Sequence, residues 1–153
     1  MIDLKQCSLG IELGSTRIKA VLVGDACKPV AQGDFTWENR LENGLWTYSM
    51  EDIIGGLQGC YASLKKQVKE KYGITLHRLA GAGISAMMHG YLAFDKEGAL
   101  LTPFRTWRNA CTGPAAEKLS EVLDFHMPLR WTAAHLYQAV LNGEEHIWKL
   151  DHV

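Results

Sequence analysis

The chain has 153 residues, 47% of them hydrophobic and 22% charged, with a formal net charge of −1. This is the balance of a globular protein long enough to bury one core. It carries no basic excess for nucleic acid and no run of like charges that would make a tail. No apolar stretch approaches the ~20 residues of a membrane-spanning helix. The opening MIDLKQCSLGIE places charges where a secretory signal needs its apolar core. A cytoplasmic protein, with neither nucleic acid nor membrane as partner, is therefore expected.

In chain order, CSLGIEL (7–13) reads as a first strand and TRIKAVLV (16–23) as a second. Ile18, Ala20 and Leu22 alternate with Arg17, Lys19 and Val21, a period of two. The Gly14-Ser15 pair between the strands fits a tight hairpin. A third strand is expected within PVAQGDFTW (29–37), after a turn from Asp25 to Pro29. Ser49 is a good N-cap, with Asp52 three residues on, as in a capping box. Ile53, Ile54, Leu57, Tyr61, Leu64, Val68 and Tyr72 then recur at helical spacing, and Gly73 is placed to stop the helix. Gly55, Gly56 and Gly59 weaken that helix intrinsically, and close packing on a sheet is the simplest reason for them.

LAGAGISAM (79–87), small and apolar, suits a buried strand. YLAFD and ALLTP flank the turn DKEG and predict a second hairpin, and FRTWRNACTG (104–113) reads as a loop. Pro114 can open a helix through Ala115, Leu119, Val122 and Leu123, ending near His126 and Pro128. Thr132 is expected to cap another, through Leu136, Ala139 and Val140, stopped by Gly143. EEHIWKL begins a further segment.

The cysteines, Cys7, Cys27, Cys60 and Cys111, form no C-x-x-C pair, and free thiols are expected. The six histidines contain no H-E-x-x-H, so a structural metal is not expected.

The run LGIELGSTRIKAVLVG carries the first chemical signal. Glycine permits close backbone approach and positive φ, and successive N–H groups in such a turn can cup a phosphate. Ser15 and Thr16 add hydroxyl donors, Glu12 can hold Mg²⁺ through water, and Lys19 adds positive charge. Taken alone, the same residues also make a plain Gly-Ser hairpin beside a solvated glutamate, and both readings stand.

GIELGSTRIKAVLV resembles the first phosphate motif of the actin-like ATPase superfamily, D-x-G-[ST]-x-x-x-K. GISAMMHGYLAFDKEGALLTPFRTWRN is similar to the next marker of one branch, the FGGY carbohydrate kinases. Within that branch the Met-His-Gly triplet is most similar to xylulokinases, whereas glycerol kinases carry an arginine-glutamate pair there. PLRWTAAHLYQAVLNGEEHIWKLDHV looks like the following family segment. The resemblance spans nearly the whole chain. It implies an α/β fold, a ribonuclease-H-like (actin-like ATPase) domain with helices packed on a mixed sheet, and transfer of the ATP γ-phosphoryl group to a sugar hydroxyl.

Carried over residue by residue, the resemblance gives Gly14, Ser15 and Thr16 to phosphate, with Lys19 nearby. Glu12 stands where the family usually has aspartate, one methylene longer. Met88 and His89 line the sugar pocket, Trp107 offers a flat apolar face, and Arg108 and Asn109 reach hydroxyls. His135 lies where many relatives have lysine and receives no role. The implied small molecules are ATP, Mg²⁺ and a sugar, with a ketopentose favoured. The family's catalytic base, second phosphate loop and adenine pocket belong to a later half, so residues 1–153 are expected to be an N-terminal portion, inactive alone, with an uncovered sheet edge that favours aggregation or a homodimer.

Three other readings are open. GAGISA (81–86) fits G-x-G-x-x-[GA] on paper, but a dinucleotide site needs it to open a helix after a strand. A ribonuclease-H-like nuclease needs clustered carboxylates, and GISAM has none. A non-catalytic interaction module is the third.

Overall fold

The computed structural model describes residues 3–153, which divide into two compact units, residues 3–38 with 50–87 and residues 39–49 with 88–153. In the first unit β1 (Ser8–Leu13), β2 (Arg17–Val23) and β3 (Pro29–Thr36) follow one another as antiparallel neighbours. The alternation in β2 has the expected consequence: Ile18, Ala20 and Leu22 are fully buried. Between β3 and the first helix the chain contributes a small hairpin to the second unit, β4 (Arg40–Glu42) and β5 (Leu45–Thr47). Helix α1 (Met50–Tyr72) starts directly after Ser49 and ends at Gly73, whose φ of +69° and N–H bond to the Lys69 carbonyl close the last turn. β6 (Gly81–Ala86) then adds parallel to β1, giving the order β3-β2-β1-β6. The sheet is therefore mixed, as expected. β6 was expected to be buried, yet all six of its residues are exposed, Ile84 at 71%.

Helix α1 lies on the sheet at backbone distance. A Cβ on Gly33 would sit 2.4 Å from the Cys60 carbonyl oxygen and 2.5 Å from the Leu64 nitrogen. Ile18 and Phe35 fill the space a Cβ would need at Gly56, and Phe35 that at Gly59, so close packing explains those two glycines. A Cβ on Gly55 would meet nothing within 4 Å beyond its own helix backbone. The Tyr72 hydroxyl donates to the Val30 carbonyl at 3.0 Å, and the Gln32 N–H donates to Gln67 Oε1 at 2.7 Å. Cys60 and Leu64 are buried beneath the sheet.

The second unit uses few strands. β4 and β5 turn through Asn43 and Gly44, both at positive φ (49° and 80°), the pairing a two-residue hairpin turn demands. The hairpin expected over 91–103 survives only as bridges, Phe94 with Leu100 and Tyr91 with Arg105. The Asp95 carboxylate accepts the Glu97 and Ala99 N–H groups, a side-chain turn that gathers the tip without extending a ladder. Helix α2 (Gly113–Leu123) has Pro114 in its first turn and stops at Asp124, in left-handed conformation, short of the expected His126. Helix α3 (Thr132–Leu141) follows, then a 3₁₀ turn over Glu145–Lys149. Ala116, Met127 and Ala134 form the core between α2 and α3, with Leu119 and Trp131 against it.

Candidate functional site

In the first unit the β1–β2 turn is held from three directions. The Gly14 N–H donates to the Arg17 carbonyl at 3.0 Å, the Trp37 N–H donates to the Thr16 carbonyl, and the Trp37 indole N–H donates to the Gly14 carbonyl at 2.7 Å. A Cβ on Gly14 would sit 2.9 Å from the Arg17 oxygen. Close approach, not positive φ, is thus why glycine stands there, since its φ lies outside the left-handed region. Ser15 and Thr16 form the exposed tip. Glu12 and Lys19 lie opposite each other in the ladder and pair at 3.3 Å, so this lysine charge is already shared with the carboxylate. Ser85 of β6 sits beside Glu12 in register. Glu12, Lys19 and Ser85 also line an open hollow of about 440 Å³ with Gly10, Val21 and Gly83. Among the described residues, no three His, Cys, Asp or Glu side chains gather as a metal site. The GAGISA run is strand β6 and opens no helix, which removes the dinucleotide reading.

In the second unit the sugar residues carried over from the resemblance separate into different environments. His89 has φ of 71°, an uncommon conformation for a residue with a side chain. It is held there by Gly90, φ 103°, whose N–H donates to the Arg130 carbonyl and whose carbonyl accepts the Thr132 hydroxyl at 2.7 Å. Thr132 was expected to cap α3; instead Trp131 occupies the cap position and the threonine hydroxyl secures the histidine loop. A side chain on Gly90 would strike the Arg105 carbonyl at 2.6 Å. The His89 ring stacks on Trp131, centroids 6.1 Å apart and planes at 19°. Both line a cavity of about 700 Å³ with Glu117, Ser120, His126 and Arg130. That volume falls in the range of small-molecule sites.

Met88 is 73% exposed and is not among the residues lining this cavity. Trp107 receives the Arg130 guanidinium over its ring at 5.9 Å, and Arg108 lies 3.5 Å above the Trp46 ring. Asn109 corrects the expectation drawn from the resemblance. It is 4% exposed; its amide oxygen accepts the Trp46 N–H, and its amide nitrogen donates to the Trp46 and Thr106 carbonyls. Those bonds consume both of its donors, so it fixes the loop rather than reaching a hydroxyl. Sequence reasoning missed Glu117, His126, Arg130 and Trp131. Arg130 and Trp131 stand in the quoted PLRWTAAHL segment and His126 at the expected end of a helix, but none was singled out for a site.

A buried polar cluster lies in the same unit. Arg105 pairs with Glu144, and the Tyr91 hydroxyl bonds His146 Nε2 at 2.8 Å. Burial tends to raise the Glu144 carboxyl, but the hydrogen bonds and charge of Arg105 outweigh it and hold it below its ordinary range. His135 is fully buried, stacked on Tyr91, and neither ring nitrogen has a partner among the described residues. Burial, helped by the nearby Arg105 charge, lowers it to about 4. His135 thus stands in the core as a neutral imidazole.

The model of the FGGY family of carbohydrate kinases, N-terminal domain, matches residues 7–138. The chain belongs to this family. No curated protein matches it. Among solved structures it is similar to a xylulose kinase from Rhodospirillum rubrum (TM-score 0.80, 17% identity, covering 94% of this chain and 31% of that one). It is also similar to a xyloylose kinase from Brucella ovis (0.77, 21%, covering 94% and 31%) and to a gluconate kinase from Lactobacillus acidophilus (0.76, 18%, covering 94% and 30%). At such identities the likeness is one of fold, and it establishes the ribonuclease-H-like, actin-like ATPase arrangement for this FGGY chain. The chain spans under a third of the length of these three kinases.

Proposed function

We propose that this FGGY chain is the N-terminal portion of an ATP-dependent sugar kinase whose acceptor is a ketopentose. The strained His89, strapped by Gly90 at the rim of the 700 Å³ cavity, carries the reading, because strain of this kind collects at ligand sites. Met-His-Gly at 88–90 and the xylulose kinases among the fold neighbours support the ketopentose.

The β1–β2 turn fits a phosphate. Its glycine admits no side chain, its backbone is tied by Trp37, and its hydroxyl residues face solvent. Ser15 and Thr16 would hold terminal phosphate oxygens of ATP, with Gly14, whose N–H is committed to the Arg17 carbonyl, giving close backbone approach, and Glu12 would meet Mg²⁺ through water. One carboxylate suffices in principle, since Mg²⁺ keeps several waters and takes the rest of its shell from phosphates. When bound, the ion would neutralise charge on the phosphates. Lys19 would keep Glu12 oriented through their pair. The sugar hydroxyl attacks the γ-phosphorus, the bond to the ADP oxygen breaks, and a carboxylate takes the hydroxyl proton. No residue of this chain is assigned that last role. The outer edge of β6, unpaired among the described residues, supports self-association of the isolated chain.

The reading is tested by titrating the 153-residue chain with xylulose and following its melting midpoint. Xylulose should raise the midpoint, His89→Ala should abolish the rise, and ATP with xylulose should yield no sugar phosphate. A rise that survives His89→Ala, or no rise at all, would sink the sugar-site reading. Measurable phosphorylation would instead show that the chain carries its own base.

A further inference from the structure

The cavity beside His89 contains one carboxylate, Glu117, near the start of α2. Two of its polar neighbours, Ser120 and Arg130, are otherwise engaged. The Ser120 hydroxyl donates to the Ala116 carbonyl and accepts the Met127 N–H, so it is spent on closing the α2–α3 loop. The Arg130 guanidinium lies over the Trp107 ring. Along α2, Lys118 pairs with Glu121 at 2.9 Å and not with its neighbour in sequence. Among the described residues no hydrogen bond or ion pair holds the Glu117 side chain. A carboxylate left open on the wall of a cavity, with a stacked His89–Trp131 pair lining it too, is arranged for a ligand with an apolar face and adjacent hydroxyls.

We infer that Glu117 is a specificity-determining residue of this cavity: it accepts hydrogen bonds from hydroxyls of a neutral sugar and turns away a sugar acid. An ionised carboxylate is an acceptor only, with two oxygens suited to neighbouring O–H donors, and bonds to a charged acceptor are the stronger kind. A sugar acid would bring a second negative charge against it, and like charges at close range repel. The Trp131 ring supplies a face for the sugar's C–H groups, while the carboxylate selects by charge. This rests on the sugar-site reading above, and it separates two acceptor classes that the fold neighbours leave together, a ketose and an aldonic acid.

The test is calorimetric titration of the 153-residue chain, as wild type, E117Q and H89A, with xylulose and with gluconate. Glu117 is exposed on a helix, so E117Q should keep the wild-type melting midpoint, which is checked first. Wild type should prefer xylulose. E117Q should lose about 10-fold in xylulose affinity, the scale of one charged hydrogen bond, and should gain affinity for gluconate. If wild type binds both sugars equally, or E117Q changes neither while H89A abolishes both, the role of Glu117 is overturned and the sugar site stands. If wild type binds neither sugar, the site itself falls and Glu117 with it.

Discussion

The sheet-bearing unit and the loop-rich unit solve the same packing problem with different bonds. In the first, main-chain ladders set the framework and α1 approaches until backbone atoms leave room only for glycine at Gly33, while the Ile18 and Phe35 side chains close on Gly56. In the second, regular ladders are short, and side chains tie distant backbone: Asn109 to Trp46, Thr132 to Gly90, Thr112 to Leu129. A ladder spreads its stability over many equivalent bonds, whereas a side-chain tie concentrates it in one residue. The first unit should therefore be sensitive to added volume and the second to lost polarity.

The largest effect should come from Gly33→Ala. The new methyl meets backbone atoms of α1, which cannot rotate away as a side chain would, so the helix must move. Overpacking of this kind should cost about 3 kcal/mol or more, read as a lowered denaturant midpoint. A near-neutral result would mean that α1 is not seated on β3 as described. Next is Asn109→Ala in the second unit. It strands the Trp46 N–H and takes one of two donors from each of the Trp46 and Thr106 carbonyls, which keep the Thr106 and Asn109 backbone N–H groups. It should cost about 2 kcal/mol, the scale of a buried group left unpaired. If Asn109→Ala proves silent, the contrast between the units fails.

An effect of similar size, spread over a pH window, is acid sensitivity from His135. Its folded value is about 4 against an ordinary 6.5. The unfolded chain therefore takes the proton first as pH falls, and stability drops from pH 6.5 toward 4 while staying flat above that window. The loss between pH 7 and 5 should be about 2 kcal/mol. His146, also lowered chiefly by burial, acts in the same direction. His135→Leu should flatten the melting profile across that window. An unchanged slope would place the acid sensitivity elsewhere.

What was legible in the sequence followed the same division. Period-two alternation in β2 and the helical spacing of α1 depend on neighbours along the chain, and both held to within a residue or two. Gly73 as the helix stop held for the same reason. Asn43-Gly44 was equally local and was overlooked, although that dipeptide is a strong hairpin signal. The 91–103 hairpin was over-read because the Asp95 side chain takes the turn N–H groups that a strand pair would have left to the backbone. The role of Asn109 was misjudged because its partner, Trp46, lies 63 residues away. Glu117 and His126 join a cavity only once α2 folds back toward the segment after it, and nothing near either residue announces that. Family membership was readable from several short motifs in order, each unremarkable alone.

The clasp on Gly90 has a consequence for how the molecule tolerates change. Both main-chain groups of that glycine are gripped by the 130–132 stretch, so the imidazole before it is aimed from the threshold of a helix some forty positions later. Insertions or deletions in the intervening surface turns can lengthen or shorten the detour without disturbing the aim, as a rivet holds two plates whatever hangs between them.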